Sequence, residues 1–325
     1  MTAYVIRRLM QSVVVVLIMS VIVFFGVNVV GDPVDMLINP EADQEDIENA
    51  IRALGLDKPV GEQYLYFLKN AFSGNLGRSF IFGEPALQLI VQRMPATLEL
   101  AIAALLMAVF IGIPLGLYAG LKPDSSTSRT IMAGSILGFS LPTFWVGLMM
   151  IMVFAVMLGW LPSTGRGETA TFLGITTSLF TLNGLQHILM PALNLALLKI
   201  SLVIRLTRAG TREAVHQDYI KFARAKGLSP HRVVFVHLLK NILIPVVTVI
   251  GLEFGSLVAF SVVTETIFAW PGMGKLLIDS IQQLDRPVIV AYLIIIVLMF
   301  VTLNLIVDIL YSILDPRVRL GEREA

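Results

Sequence analysis

LMQSVVVVLIMSVIVFFGVNVV, residues Leu9–Val30, contains no charged side chain. A helix needs about 20 mostly apolar residues to cross the hydrocarbon core of a bilayer. This run is long enough. Arg7 and Arg8 precede it, as they would in a secretory signal. The run exceeds the apolar core of such a signal, and no small-x-small cleavage site follows. It reads as an uncleaved first membrane span.

Five further stretches have the same character: Ala96–Gly120, Ile131–Leu158, Ile188–Thr207, Ile242–Phe268 and Val288–Leu314. The composition agrees. Of 325 residues, 56% are hydrophobic and only 14% charged, against roughly a quarter charged in soluble domains. Lipid offers no partner for a backbone N–H or C=O, so open-ended spans must be helical. The expected fold is all-α, a polytopic membrane protein of about six transmembrane helices with a small helical extracytoplasmic domain between helices 1 and 2.

Lys and Arg set the orientation. The segment 31–95 carries ten acids and five bases, whereas the loop 208–241 carries seven bases and two acids. Basic loops stay in the cytoplasm. Six spans then put both termini inside and 31–95 outside. The expected divisions are 1–30 (cytoplasmic N-terminus and first span), 31–95 (extracytoplasmic), 96–315 (transmembrane core including loop 208–241) and 316–325 (cytoplasmic tail).

Within 31–95, Ile47, Ala50, Ile51 and Leu54 make a helical stripe over Asp46–Leu54. A second helix is expected near Gly61–Phe72, ended by Gly74. A third starts at Pro85 and is expected to lie in the outer interface before span two. Gly112, Gly116 and Gly120, Gly134 and Gly138, and Gly251 and Gly255 recur every four residues. Such spacing lets helix backbones approach closely, in a tight bundle or a dimer seam. Pro114, Pro142, Pro191 and Pro245 mark kinks or span entries.

The spans contain six ionisable groups: Glu99, Lys199, Arg205, Glu253, Glu265 and Asp308. Each costs about 2.5–3.5 kcal/mol at a helix centre, so a deep one must face a cavity or a partner. Glu253 is the deepest. It lines a pathway or couples an ion, or it makes an interhelical pair. Glu99, Glu265 and Asp308 lie nearer span ends, within reach of water. Lys199 and Arg205 can snorkel.

Enzymatic signatures are missing. Gly272-Met273-Gly274-Lys275 resembles the end of a phosphate loop, but Ala269 replaces the first Gly and Leu276 the Ser/Thr. His187, His216, His231 and His237 have no metal-ligand spacing, and there is no Cys. No nucleophile elbow occurs. No catalytic residue, metal site or cofactor is expected in this chain.

In the loop 208–241, Asp218 is placed to cap a short helix, Tyr219–Lys226, with Gly227 as its stop. Ser229 would cap a second helix with Pro230 first. A helix this short needs a partner to be stable. The segment resembles the "EAA" coupling loop of ABC importer permeases. Aligned on Gly227, Ala223 matches the second Ala. Lys221 stands where the motif has Glu, Phe222 where it has the first Ala, and Pro245 lies five positions late. The form Asp218–Ser229 is instead similar to the dipeptide/oligopeptide (peptide/nickel) branch. So are Leu54–Pro59, Gly74–Ser79, Arg93–Leu100, Ser140–Trp145, Trp270–Gly274 and Leu314–Arg317, which follow that branch in order along nearly the whole chain.

The resemblance implies a permease subunit of an ATP-driven importer in the bacterial cytoplasmic (inner) membrane. Tyr219, Lys221, Ala223, Arg224, Ala225 and Gly227 would couple it to a cytoplasmic ATPase. Its partners would be a second homologous permease, two ATPase subunits carrying ATP and Mg, an extracytoplasmic solute-binding protein and the lipid bilayer, with no nucleic acid. Di- and oligopeptides are the leading cargo, with nickel chelates, glutathione or another small solute as alternatives. From another class, an ion-coupled secondary transporter using Glu253 and Asp308 stays open.

Overall fold

A computed structural model describes residues 2–28, 57–172 and 174–314. The expected helix Asp46–Leu54 and the tail 316–325 lie outside them. Among the described residues, five helices are long and apolar enough to span a bilayer: Arg7–Gly26, Ala86–Leu121, Leu182–Ala214, Pro230–Ile267 and Arg286–Ile309. A sixth span is a bent pair, Ser126–Ser140 with Thr143–Met157. The chain is therefore an all-α polytopic membrane protein. It divides into two compact units, Thr2–Pro95 with Gly272–Thr302, and Ala96–Pro271 with the chain from Leu303 onward.

In the first unit, α1 (Thr2–Asn28) packs against the amphipathic α2 (Val60–Phe72). The Phe24 ring lies 5.4 Å from Tyr64 and 5.6 Å from Phe67. Ser20 and Tyr64 share a hydrogen bond of 2.8 Å across this contact. Leu65 and Tyr66 stay exposed. Gly74, at φ +74°, ends α2 as the sequence predicts. Beyond it, the Ser79 hydroxyl and the Phe80 N–H donate to Asp285, which is buried between α9 (Met273–Gln282) and α10 (Arg286–Leu314).

The outer-interface helix expected from Pro85 is not a separate element. The chain runs unbroken as α3, Ala86–Leu121, through both Pro95 and Pro114. Each proline removes one backbone bond. Breaking the helix in an apolar medium would expose several unpaired groups, which is costlier.

The second unit is built around α6 (Leu182–Ala214), the most buried span. On α3, Gly112, Gly116 and Gly120 all face it. A Cβ on Gly112 would sit 2.7 Å from Val203, and one on Gly116 would sit 2.6 Å from the Ile204 carbonyl. One on Gly120 would meet Thr211. The four-residue glycine ladder is thus a seam within this chain.

Ile131–Leu158 was expected as one continuous span. It is instead two segments, α4 (Ser126–Ser140) and α5 (Thr143–Met150, continuing as a π-helix over Ile151–Met157), bent by 106°. Pro142 causes the break: the residue before a proline is pushed out of the helical region, and Leu141 sits at ψ 136°. A short hairpin, Ala170–Phe172 with Ile175–Thr177, separates α5 from α6. The short helix α7 (Asp218–Ala225) follows α6, and α8 (Pro230–Ile267) carries a π-helical stretch at Val233–Leu238.

Candidate functional site: a short basic helix and the buried charge pairs

α7 sits where the sequence predicts it, one residue earlier than expected. Gln217 is its N-cap, without a side-chain bond. Asp218 is not the cap but the first helical residue, because its carboxylate takes a hydrogen bond from Lys221 at 2.9 Å instead. That bond, and the Lys221 charge, hold the Asp218 carboxyl below its ordinary pKa. Ser229 likewise occupies the N-cap position before Pro230 without a side-chain bond. Gly227 closes the helix at φ +73°, a conformation that costs other residues about 1–2 kcal/mol.

The helix has two faces. Ile220 and Ala223 are fully or nearly fully buried, with Val233 and Leu238 of the adjoining π-helical stretch buried as well. Burying these two apolar side chains anchors a helix otherwise too short to persist. The outer face shows Tyr219 and Phe222 together with Lys221, Arg224, Ala225 and Lys226. Lys226 Nζ lies 4.5 Å from the Phe222 ring centre, a cation–π contact. Two exposed aromatics thus stand among bases on this face. Of the six predicted coupling residues, Ala223 alone is buried; it sets the approach of the helix to its support.

The buried carboxylates depart from expectation. Glu99 and Glu265 do not reach water. Glu99 is 6% exposed. It pairs with Arg166, and it accepts the Ser178 N–H at 2.7 Å and the Ser178 hydroxyl. Arg166 also donates to the Thr176 carbonyl at 2.7 Å and lies over Trp270. Trp270 is fully buried, and its indole N–H donates to the Ala96 carbonyl at 2.9 Å. Glu265 is fully buried and accepts from Thr97 at 2.7 Å and Ser261 at 2.9 Å. Nearness to a span end did not reveal this, because Arg166 and Ser178 of the loop 159–181 close over Glu99, and Thr97 and Ser261 of the spans enclose Glu265. The sequence signal available was Arg166, the one base in the loop 159–181.

Glu253 pairs with Lys199, the interhelical alternative of the two considered. Ser256 joins both, 2.8 Å from each. Arg205 lies over the Phe139 ring at 4.7 Å. Asp308 is half-buried on α10, beside Val307, which packs on Gly251. Among the described residues, no group of His, Asp and Glu is arranged to hold a metal ion.

A span broken at Pro142, a small-residue seam and an exposed short helix belong to a multi-pass membrane protein. Residues 112–320 match the family described as binding-protein-dependent transport system inner membrane component, and residues 1–101 match its N-terminal counterpart. The chain belongs to this family of ABC importer permeases. It is 41% identical over 318 residues to the di/tripeptide transport system permease protein DppB of Pseudomonas aeruginosa (strain UCBPP-PA14), covering 91% of this chain and 95% of that one. It is 38% identical over 320 residues to the glutathione transport system permease protein GsiC of Escherichia coli (strain K12), covering 98% and 99%. Its fold is similar to that in the inward facing MetNI methionine ABC transporter, with a TM-score of 0.56 at 19% identity, over 71% of this chain and 99% of that chain.

Proposed function

We propose that the chain forms half of the translocation pathway of an ATP-driven importer of di- and oligopeptides, and that α7 docks on a cytoplasmic ATPase. The carrying observation is the two-faced α7: Ile220 and Ala223 fix it to the adjoining π-helical stretch, while Tyr219, Phe222, Lys221 and Arg224 face outward. A helix fixed on one side and free on the other can pass a push from a bound protein into α6 and α8. ATP and Mg are held by two partner ATPases, and this chain performs no hydrolysis. A second, similar permease and an extracytoplasmic binding protein complete the assembly. Both termini and the loop 208–241 face the cytoplasm, as their bases favour.

Peptide cargo is supported by the similarity to a di/tripeptide permease. The comparable similarity to a glutathione permease favours short peptides of unusual linkage as a second cargo. Replacing Gly227 by Val in the reconstituted complex tests the docking role. Nothing lies within 4 Å of a Cβ there, so the variant disturbs the turn and not the packing. The complex should insert and assemble yet lose ATP-driven uptake. Undiminished uptake would refute the role of α7. Uptake by the chain alone under an ion gradient would point to the secondary-transporter class instead.

A further inference from the structure

The Lys199–Glu253 pair differs from the other buried pair in one respect. The Arg166 and Glu99 side chains are 14% and 4% exposed; those of Lys199 and Glu253 are 18% and 32% exposed. Both residues stand close to the middle of their helices, α6 and α8. A carboxylate a third open at that depth cannot face lipid tails without a heavy desolvation penalty. Its open side must meet water or protein. Ser256, less than one turn from Glu253 on α8, is partly exposed as well.

We propose that this pair is a contact point for the two charged ends of a short zwitterionic peptide on its way through, with Glu253 taking the ammonium and Lys199 the carboxylate. The proposal rests on the peptide-import reading above. A ligand with one charge would leave either Lys199 or Glu253 unpaired when it entered. A zwitterion leaves neither unpaired, since each protein charge exchanges one ionic partner for another. Ser256, hydrogen-bonded to both, holds the two side chains within reach when their direct bond opens.

The test is uptake by the complete reconstituted importer, using a dipeptide with free ends and the same dipeptide N-acetylated and C-amidated. The key variant is the double replacement Lys199→Met with Glu253→Met. It removes both charges at similar volume, which spares the fold the burial of a lone charge. Stimulation of ATP hydrolysis by the loaded binding protein reports assembly and coupling. The proposal expects the double variant to keep that stimulation while uptake of the free dipeptide falls about tenfold or more, the worth of one or two charge-assisted hydrogen bonds. Wild-type uptake of the free dipeptide by the double variant would overturn it, leaving the pair a brace. Loss of ATPase stimulation together with uptake would also overturn it, since the pair would then serve assembly. If the wild-type importer moves neither dipeptide but does move another solute, the peptide reading itself fails, and this proposal with it.

Discussion

Replacing Arg166 by Met should destabilise the protein more than any exposed substitution, and a second replacement should partly rescue it. Glu99 is 6% exposed and takes four hydrogen bonds, two from Arg166 and two from Ser178. Met fills the space of Arg166 but leaves the Glu99 carboxylate with only the Ser178 donors. Breaking one side of a buried pair costs about 3–5 kcal/mol, mostly from the charge left behind. The value here should fall at the lower end, because Ser178 still satisfies one carboxylate oxygen. Glu99→Gln keeps the acceptor for Ser178 and should cost about 1–3 kcal/mol, the loss of charge-assisted bonds. In the double variant no lone charge remains. It should be more stable than Arg166→Met alone by about 1 kcal/mol or more, although it carries one more substitution. Denaturant unfolding in mixed micelles would measure the cycle. Tryptophan fluorescence is a suitable probe, since Trp270 is fully buried with Arg166 over its ring. Independent sites add within about 0.5 kcal/mol. A double variant whose loss equals the sum of the single losses would refute the buried-charge account.

Gly116→Val puts a side chain against the Ile204 carbonyl, backbone that cannot yield, and should cost about 1–3 kcal/mol or more. Gly134→Ala meets nothing within 4 Å and should be neutral or stabilising by up to about 1 kcal/mol; a reversed order in the same unfolding assay would contradict the seam between α3 and α6. Tyr219→Ala and Phe222→Ala remove exposed rings, so stability should change by no more than about 0.5 kcal/mol. Stimulated ATP hydrolysis by the assembled importer should nevertheless fall sharply, and unchanged stimulation would count against α7 as the docking element. Asp218 has a lowered pKa, so its bond to Lys221 is complete above the ordinary carboxylate pKa and is lost as pH falls through the lowered value. Limited proteolysis of the 217–227 segment should accelerate at that acid midpoint, and Lys221→Met should move the midpoint up towards the ordinary value.

Periodicity and apolar length revealed α1, α6, α8 and α10, because a bilayer demands a long uncharged run whatever surrounds it. The end of α2 was equally plain, since Gly74 alone in that stretch accepts φ +74°. Prolines were harder to read. Pro142 breaks a span by 106°, whereas Pro95 and Pro114 do not break α3. At Pro114 the difference is tertiary: α3 is held there by the glycine contacts with Val203, Ile204 and Thr211, while α4 ends in exposed Ser140 and Leu141. Composition carries no trace of that support. The candidate site divides in the same way. Tyr219–Gly227 is a local motif, and its position was legible; Asp218 as the cap was not, because Lys221 competes for the same carboxylate three residues on. Arg166 and Ser178 lie far along the chain from Glu99, so only the fold brings them together.

Two ion pairs at the spans of the second unit show how a transport subunit can hold charge in an apolar medium for different ends. The Glu99–Arg166 pair is saturated: every donor that reaches Glu99 comes from a loop folded over it, and the Trp270 ring covers Arg166. Opening it would strand a carboxylate, so it resists change and can serve as a fixed point. The Lys199–Glu253 pair is unsaturated. Among the described residues its further partner is Ser256, and a third of the Glu253 side chain stays open. Opening it costs little if a ligand or water supplies replacement charges at the same moment. A moving pathway needs both kinds. Rigid pairs let helices rotate as bodies, and exchangeable ones let a charged cargo pass without crossing bare hydrocarbon. The prediction that separates them is direct: neutralising Glu99–Arg166 should lower stability, while neutralising Lys199–Glu253 should lower uptake and leave the unfolding midpoint nearly where it was. If both double variants lose stability equally, the openness of the second pair has no functional meaning.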